Sequence, residues 1–217
     1  MNYALLLSSA LFLYAHSLSG QTFALGARGG YSFTNIHLSE IKWQDGLVPP
    51  NSTDPLHGFH AGLEGKMDFN QKWALLFGVQ YSQKGFESQL FWPAGPASAR
   101  NVFHYIYLPV VVDFQVWRGL SIQAGMEGGR LLGVRAISGG ENVNINKLGI
   151  YRDFDFGLIA GLEYRIRRFF IGARQSWGIY DLYGDAKFTD ENGFELGELK
   201  SFHRAAQISV GYRHPLP

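Results

Sequence analysis

Seven ionisable residues stand on one phase of a two-residue alternation that otherwise carries small, uncharged side chains: Arg28, Glu64, Lys66, Glu127, Asp155, Glu163 and Arg174. Charge in that setting can do three kinds of chemistry. It can line a path for ions or small solutes, it can supply acid–base partners to a substrate, or it can neutralise itself as a polar core. Arg28 and Glu64 fall at equal depth on adjacent alternating segments, with Arg174 at similar depth and Glu127 slightly beyond. The whole inward phase also includes Lys84, Arg165 and Arg213 against Asp68, Asp113 and Asp153, so the two signs nearly cancel. Unpaired charge withdrawn from water is costly. The expected role is therefore a paired polar filling, with a small-solute channel as the alternative.

Nucleophilic chemistry has weaker support. An acyl-transfer site at a membrane rim needs a Ser or comparable nucleophile beside an oriented base. The candidates are His104 and His203 with Ser201 or Asp153. A lone His near a loop is more simply an ordinary polar residue. The expectation is a protein that is not an enzyme, with a lipid-modifying enzyme as the further alternative. His57 and His60 straddle a loop-to-strand junction without acidic partners, so no metal site is expected. Gly125-Met126-Glu127-Gly128-Gly129 is glycine-rich but opens no helix, so it is no phosphate loop. The chain has no Cys, which excludes a thiolate site, a Cys nucleophile and a disulfide framework. No cofactor is expected.

The elements that must position these residues are strands. Phe59 to Phe69 shows the pattern most clearly: odd positions are apolar or small, while even positions include Glu64, Lys66 and Asp68. Successive side chains of a strand point to opposite faces, so one face is apolar and the other charged. Eight such stretches occur, each about ten residues or longer, enough to cross a bilayer when tilted. Short connections (Asn70-Gln71-Lys72, Trp117-Arg118-Gly119, Arg167-Arg168) alternate with long polar segments at 37–57, 87–102, 134–152 and 182–200. Aromatics gather near both strand ends, where rings favour the headgroup boundary. A soluble barrel would put the apolar phase inside and cover its outside with Lys, Glu and Thr. Here the polar phase is mostly Gly, Ala and Ser with isolated charges, as a narrow eight-stranded interior requires. The fold class is thus all-β: an eight-stranded antiparallel up-and-down transmembrane β-barrel in an outer membrane, with both termini on the periplasmic side.

Composition agrees. Charged residues are only 17%, aromatics 15%, and there are 27 glycines. A net charge of +1 gives no reason to expect nucleic acid as a partner. Residues 1–20 hold an apolar run, Ala4 through Ala15, followed by Ser17-Leu18-Ser19, and read as a cleaved signal peptide. The barrel domain is then 21–217.

Several stretches carry a family likeness: Leu25 to Ile36, Leu76 to Gly85, Tyr107-Leu108-Pro109-Val110, Gly119 to Gly125, Phe154 to Leu158 and Val210-Gly211-Tyr212-Arg213. Together they resemble the PorT-like family of small outer-membrane β-barrels of Gram-negative bacteria. The resemblance covers essentially the whole mature chain and implies an eight-stranded barrel, with a link to protein secretion through the founding member. The expected surroundings are outer-membrane lipid and an envelope or secretion protein, and the barrel is expected to be a monomer. Contact with a protein partner falls to the loops, where Trp43, Phe91 and Trp92 stand among apolar patches.

Overall fold

The structure, a computed structural model, describes residues 21–43, 53–92, 95–138, 141–144, 151–183, 187–189 and 195–217. The segment expected to be a signal peptide, 1–20, lies outside the described residues. Ten strands are present among them: β1 (Thr22–Trp43), β2 (Thr53–Asp68), β3 (Trp73–Trp92), β4 (Gly95–Trp117), β5 (Leu120–Ser138), β6 (Glu141–Asn144), β7 (Phe154–Ile166), β8 (Phe169–Gly178), β9 (Lys187–Thr189) and β10 (Glu195–Pro215). Eight of these, all but the short β6 and β9, pair antiparallel in the order β1-β2-β3-β4-β5-β7-β8-β10. Pairing of β1 with β10, from Ala24↔Pro215 to Trp43↔Gly197, closes the cylinder. Closure matters because backbone groups in lipid must all find partners within the protein.

The two phases of the alternation face opposite ways in every barrel strand. Leu25, Leu63, Leu108, Met126, Leu158, Ile171 and Val210 point outward, and Leu63 keeps 65% of its surface exposed. In water this would be a large apolar patch; as a continuous band it is the lipid-facing wall of an outer-membrane barrel. Phe69, Trp73, Tyr164, Phe169 and Tyr212 are exposed at the short-turn end, and Phe33, Phe59, Phe154 and Trp177 toward the other.

The short turns have local causes. Asn70 Oδ1 accepts from the backbone N–H groups of Lys72 at 2.9 Å and Trp73 at 3.0 Å, which folds the chain back without a regular turn. Gly119 takes φ +78° in the β4–β5 turn, the left-handed geometry that tight hairpins need. In the β7–β8 turn the same region is occupied by Arg167, at φ 58°.

The segments 37–57, 87–102, 134–152 and 182–200 are not loops throughout. The strands of their hairpins run on: β1 reaches Trp43, β3 and β4 pair as far as Trp92↔Gly95, β5 continues to Ser138, and β10 starts at Glu195. At 22 and 23 residues, β1 and β4 are about twice the roughly 9–11 residues a tilted strand needs to cross a bilayer. A strand that has left the lipid no longer needs an apolar outer phase. Its sequence turns polar on both faces and looks like loop.

Candidate functional site

The sequence directs attention to the interior, and the structure fills it in two layers. The layer nearer the short turns is ionic. Arg28 of β1 donates from Nε to Glu64 of β2 at 3.0 Å and from Nη2 to Glu163 of β7 at 2.9 Å. Arg213 of β10 reaches the same two carboxylates, with Glu64 at 2.7 Å and Glu163 through paired guanidinium contacts. Two arginines and two glutamates from four strands thus alternate in a closed ring. The ring of Phe170, on β8, lies under both guanidinium groups, 4.0 Å from Arg213 Cζ and 4.8 Å from Arg28 Cζ, the stacking that suits a planar cation.

Gln123 of β5 ties this ring to its surroundings. Its Nε2 donates to Asp113 at 2.9 Å and Glu163 at 3.2 Å, and its Oε1 accepts from Arg174 Nε at 2.8 Å. Asp113 also accepts from Lys66 Nζ at 2.9 Å and Ser121 Oγ at 2.6 Å. Further along the barrel, Lys84 Nζ lies 2.9 Å from Glu127 and 3.5 Å from Asp155, above the Tyr107 ring, while the Tyr107 hydroxyl donates to Asp155. All eight barrel strands contribute. Among the described residues the buried charges are five cations (Arg28, Lys66, Lys84, Arg174, Arg213) and five anions (Glu64, Asp113, Glu127, Asp155, Glu163).

The second layer is aromatic and lies toward the long-loop end. Ile36, Phe86, Phe103, Tyr105, Tyr107, Val134 and Leu182 form one buried cluster, with Leu38, Leu131, Tyr151 and Tyr183 packed against it. Phe103 is fully buried, edge-on to Tyr151 at 4.9 Å and to His203 at 5.2 Å between centroids. Burial pushes the Tyr151 hydroxyl up to about 12, and its hydrogen bond with Tyr183 works against that rise. Glycine makes room for these rings. A Cβ at Gly129 would stand 2.3 Å from the Tyr107 ring, and one at Gly211 would stand 2.1 Å from Phe170. Either substitution would force the ring aside.

The expected pair Arg28–Glu64 is thus formed, and Glu163 joins it. Three assignments need correction. Arg174 meets Gln123 rather than a carboxylate, because Glu163 is already held by Arg28 and Arg213. Glu127 does not share the Arg28 layer but pairs with Lys84, whose long side chain spans from β3 to β5. Asp153 and Arg165 are not part of the buried network: Asp153 is exposed just before β7, and Arg165 is exposed at the short-turn mouth. That mouth is a polar recess of about 330 Å³ lined by Thr22, Asp68, Asn70, Gln71, Gln115 and Arg165.

Lys84, Asp113 and Arg213 belong to the network with the residues singled out from sequence. All three stand on the inward phase, which is the signal that marks them. The nucleophilic candidates do not converge. His104 pairs with the Tyr81 hydroxyl at 2.6 Å on the outer side, whereas His203 is buried beside Tyr105 at 3.3 Å. Trp43, Phe91 and Trp92 lie on strand backbone beyond the lipid band, and their side chains are outside the described residues.

A family model described as "Outer membrane protein beta-barrel domain" matches residues 15–184. No curated protein matches the sequence. Among solved structures, the attachment invasion locus protein Ail of Yersinia pestis is similar at 16% identity and a TM-score of 0.46, covering 88% of this chain and 98% of that one. Neisserial surface protein A is similar at 13% identity and a TM-score of 0.46, covering 89% and 97%. Outer membrane protein W of E. coli, at 13% identity and a TM-score of 0.36, covers 88% and 97%.

Proposed function

This chain belongs to the outer membrane protein β-barrel domain family, and from that premise we propose that it is a sealed, non-enzymatic barrel serving as a structural or interaction element. Its working surface is the long-loop end, and its partner is a protein of an envelope or secretion assembly. The observation that carries this reading is the filled interior. Ion pairs and hydrogen bonds that link all eight strands, and an aromatic layer above them, use the inward side chains on one another, which leaves the hairpins beyond the lipid as the surface free to meet something else. The resemblance of Leu25–Ile36, Leu76–Gly85 and the terminal Val210-Gly211-Tyr212-Arg213 to the PorT-like family supports the secretion setting. Short turns face the periplasm in barrels of this kind, and the Leu216 N–H, which donates to the Phe23 carbonyl at 2.7 Å beside the short turns, supports a periplasmic position for the start of β1 and the end of β10.

Two measurements test the reading. Purified protein in a planar bilayer is expected to give no stable conductance; a steady, sizeable current would establish the small-solute channel instead. Deleting 87–99 removes the β3–β4 hairpin beyond Phe86 and is expected to leave a heat-modifiable barrel that no longer co-purifies its partner from native membranes. Unaltered co-purification would rule that hairpin out as the contact.

A further inference from the structure

The outer wall at the short-turn end carries a feature that the sealed interior does not use. Tyr164 and Ile166 of β7, Phe169 and Ile171 of β8 and Val210 of β10 border an apolar groove of about 250 Å³ on the lipid side. The turn directly above it is Arg167-Arg168, both exposed. Arg168 Nη1 lies 3.5 Å from the Tyr212 hydroxyl, and its carbonyl accepts from the Arg213 N–H at 2.8 Å, which fixes the turn over β10. The neighbouring turn adds Arg118, brought alongside by the Arg165 N–H bond to the Gly119 carbonyl at 2.7 Å. No Asp or Glu occurs in the three short turns, in 164–171 or in 210–217.

The backbone makes the arginine harder to explain as filler. Arg167 holds φ 58° in a two-residue hairpin, a geometry that Asn or Gly adopts at far lower cost. A sparsely populated conformation kept at a non-glycine residue is a reason to look for function there. An apolar groove at the level of an aromatic girdle, capped by paired guanidinium groups, matches one kind of ligand: an acyl chain joined to an anionic phosphate headgroup.

We propose that the β7–β8–β10 wall is a binding site for an anionic glycerophospholipid, its acyl chain in the Ile166–Val210 groove and its phosphate at Arg167 and Arg168. The test is native mass spectrometry of the folded full-length protein in detergent, loaded with phosphatidylglycerol or with phosphatidylcholine of the same chain length. Phosphatidylglycerol is expected to be retained about thirtyfold better, the preference that two arginines near the surface would contribute together. Arg167→Asn with Arg168→Gln should bring the two lipids to parity. Arg167→Asn alone should weaken the preference without lowering the unfolding midpoint, because Asn relieves the backbone; a merely structural arginine would not separate the two readouts. Val210→Trp should reduce retention of both lipids by filling the groove, with Ile171→Trp on the opposite wall as the substitute if that variant does not fold. Equal retention by the parent protein, or a preference unchanged in the double variant, overturns the site. Retention of both lipids unchanged in a folded groove variant overturns the acyl-chain assignment.

Discussion

The two layers of the interior fill the same cylinder by different means. Below, five cations and five anions from eight strands are linked together, Arg174 through Gln123 and the others by direct ion pairs. Above, Phe103, Tyr105, Phe86, Val134 and Leu182 pack as an ordinary apolar core. The boundary runs through Tyr107, whose hydroxyl donates to Asp155 while its ring touches Lys84 and Tyr105. The difference follows from where each layer sits. Inside the lipid band the apolar phase must face out, so the inward phase is left largely polar, a small Leu76–Val111–Ile159 cluster apart, and its charges must neutralise one another. Beyond the lipid the outward phase meets water, and apolar side chains can return to the inside as they do in any soluble domain. A membrane barrel with long extensions is thus inverted in one half of its length and conventional in the other.

The ionic layer should be the more fragile to single changes, because each carboxylate serves several partners. Glu163→Ala takes one carboxylate partner from Arg213, one from Arg28 and one acceptor from the Gln123 amide at once. Breaking a buried pair typically costs 3–5 kcal/mol, and about 4 kcal/mol is expected here, read as a fall in the urea midpoint of the barrel refolded in lipid vesicles. Glu64→Ala should cost somewhat less, since Glu64 holds the two arginines but not Gln123. A loss below about 1 kcal/mol for Glu163→Ala would mean that the ring is not mutually dependent.

The aromatic layer should lose stability by a different route. Phe103→Ala leaves a cavity rather than an orphaned charge, and about 3 kcal/mol is expected. The comparison sharpens if the damage is also local. Amide hydrogen exchange should quicken around 101–105 and 134–136, the strands that pair across Phe103↔Val134, and remain slow at 24–30. Equal acceleration at both levels would show one cooperative interior instead of two.

How much of this was legible follows the same divide. Within the lipid band the period of two assigns every barrel strand its inner and outer face, because a register error of one residue would put Glu64 and Lys66 into hydrocarbon. Arg28 and Glu64 could be matched by counting depth only approximately: they sit on adjacent strands as diagonal neighbours, Gly26 standing opposite Glu64 and Gly62 opposite Arg28, an offset of two residues that the long Arg28 side chain bridges. Partners across the lumen could not. Strand tilt and stagger shift distant strands relative to one another, and side chains as long as Lys84 and Arg213 choose among several carboxylates. The aromatic layer was hidden for a second reason. Phe86 and Phe103 flank a polar segment, and only the in-phase run Phe103, Tyr105, Tyr107 ahead of Asp113 marks it as inward.

The smallest effect is expected where the two regions stop mattering. Arg100 and Glu87 form an ion pair at 2.6 Å on the β3–β4 hairpin, a contact as short as most of those in the central ring, yet 45% of the Arg100 side chain is exposed. Water already solvates both groups there, and holding two flexible side chains together costs entropy. Arg100→Ala should therefore change the unfolding free energy by less than about 1 kcal/mol, and raising the salt concentration should remove what difference remains. The central ring, shielded by the barrel wall, should respond little to salt. If Arg100→Ala proved as damaging as Glu163→Ala, contact distance rather than exclusion from water would govern these pairs, and the inversion of the barrel would not be what makes its ionic layer strong.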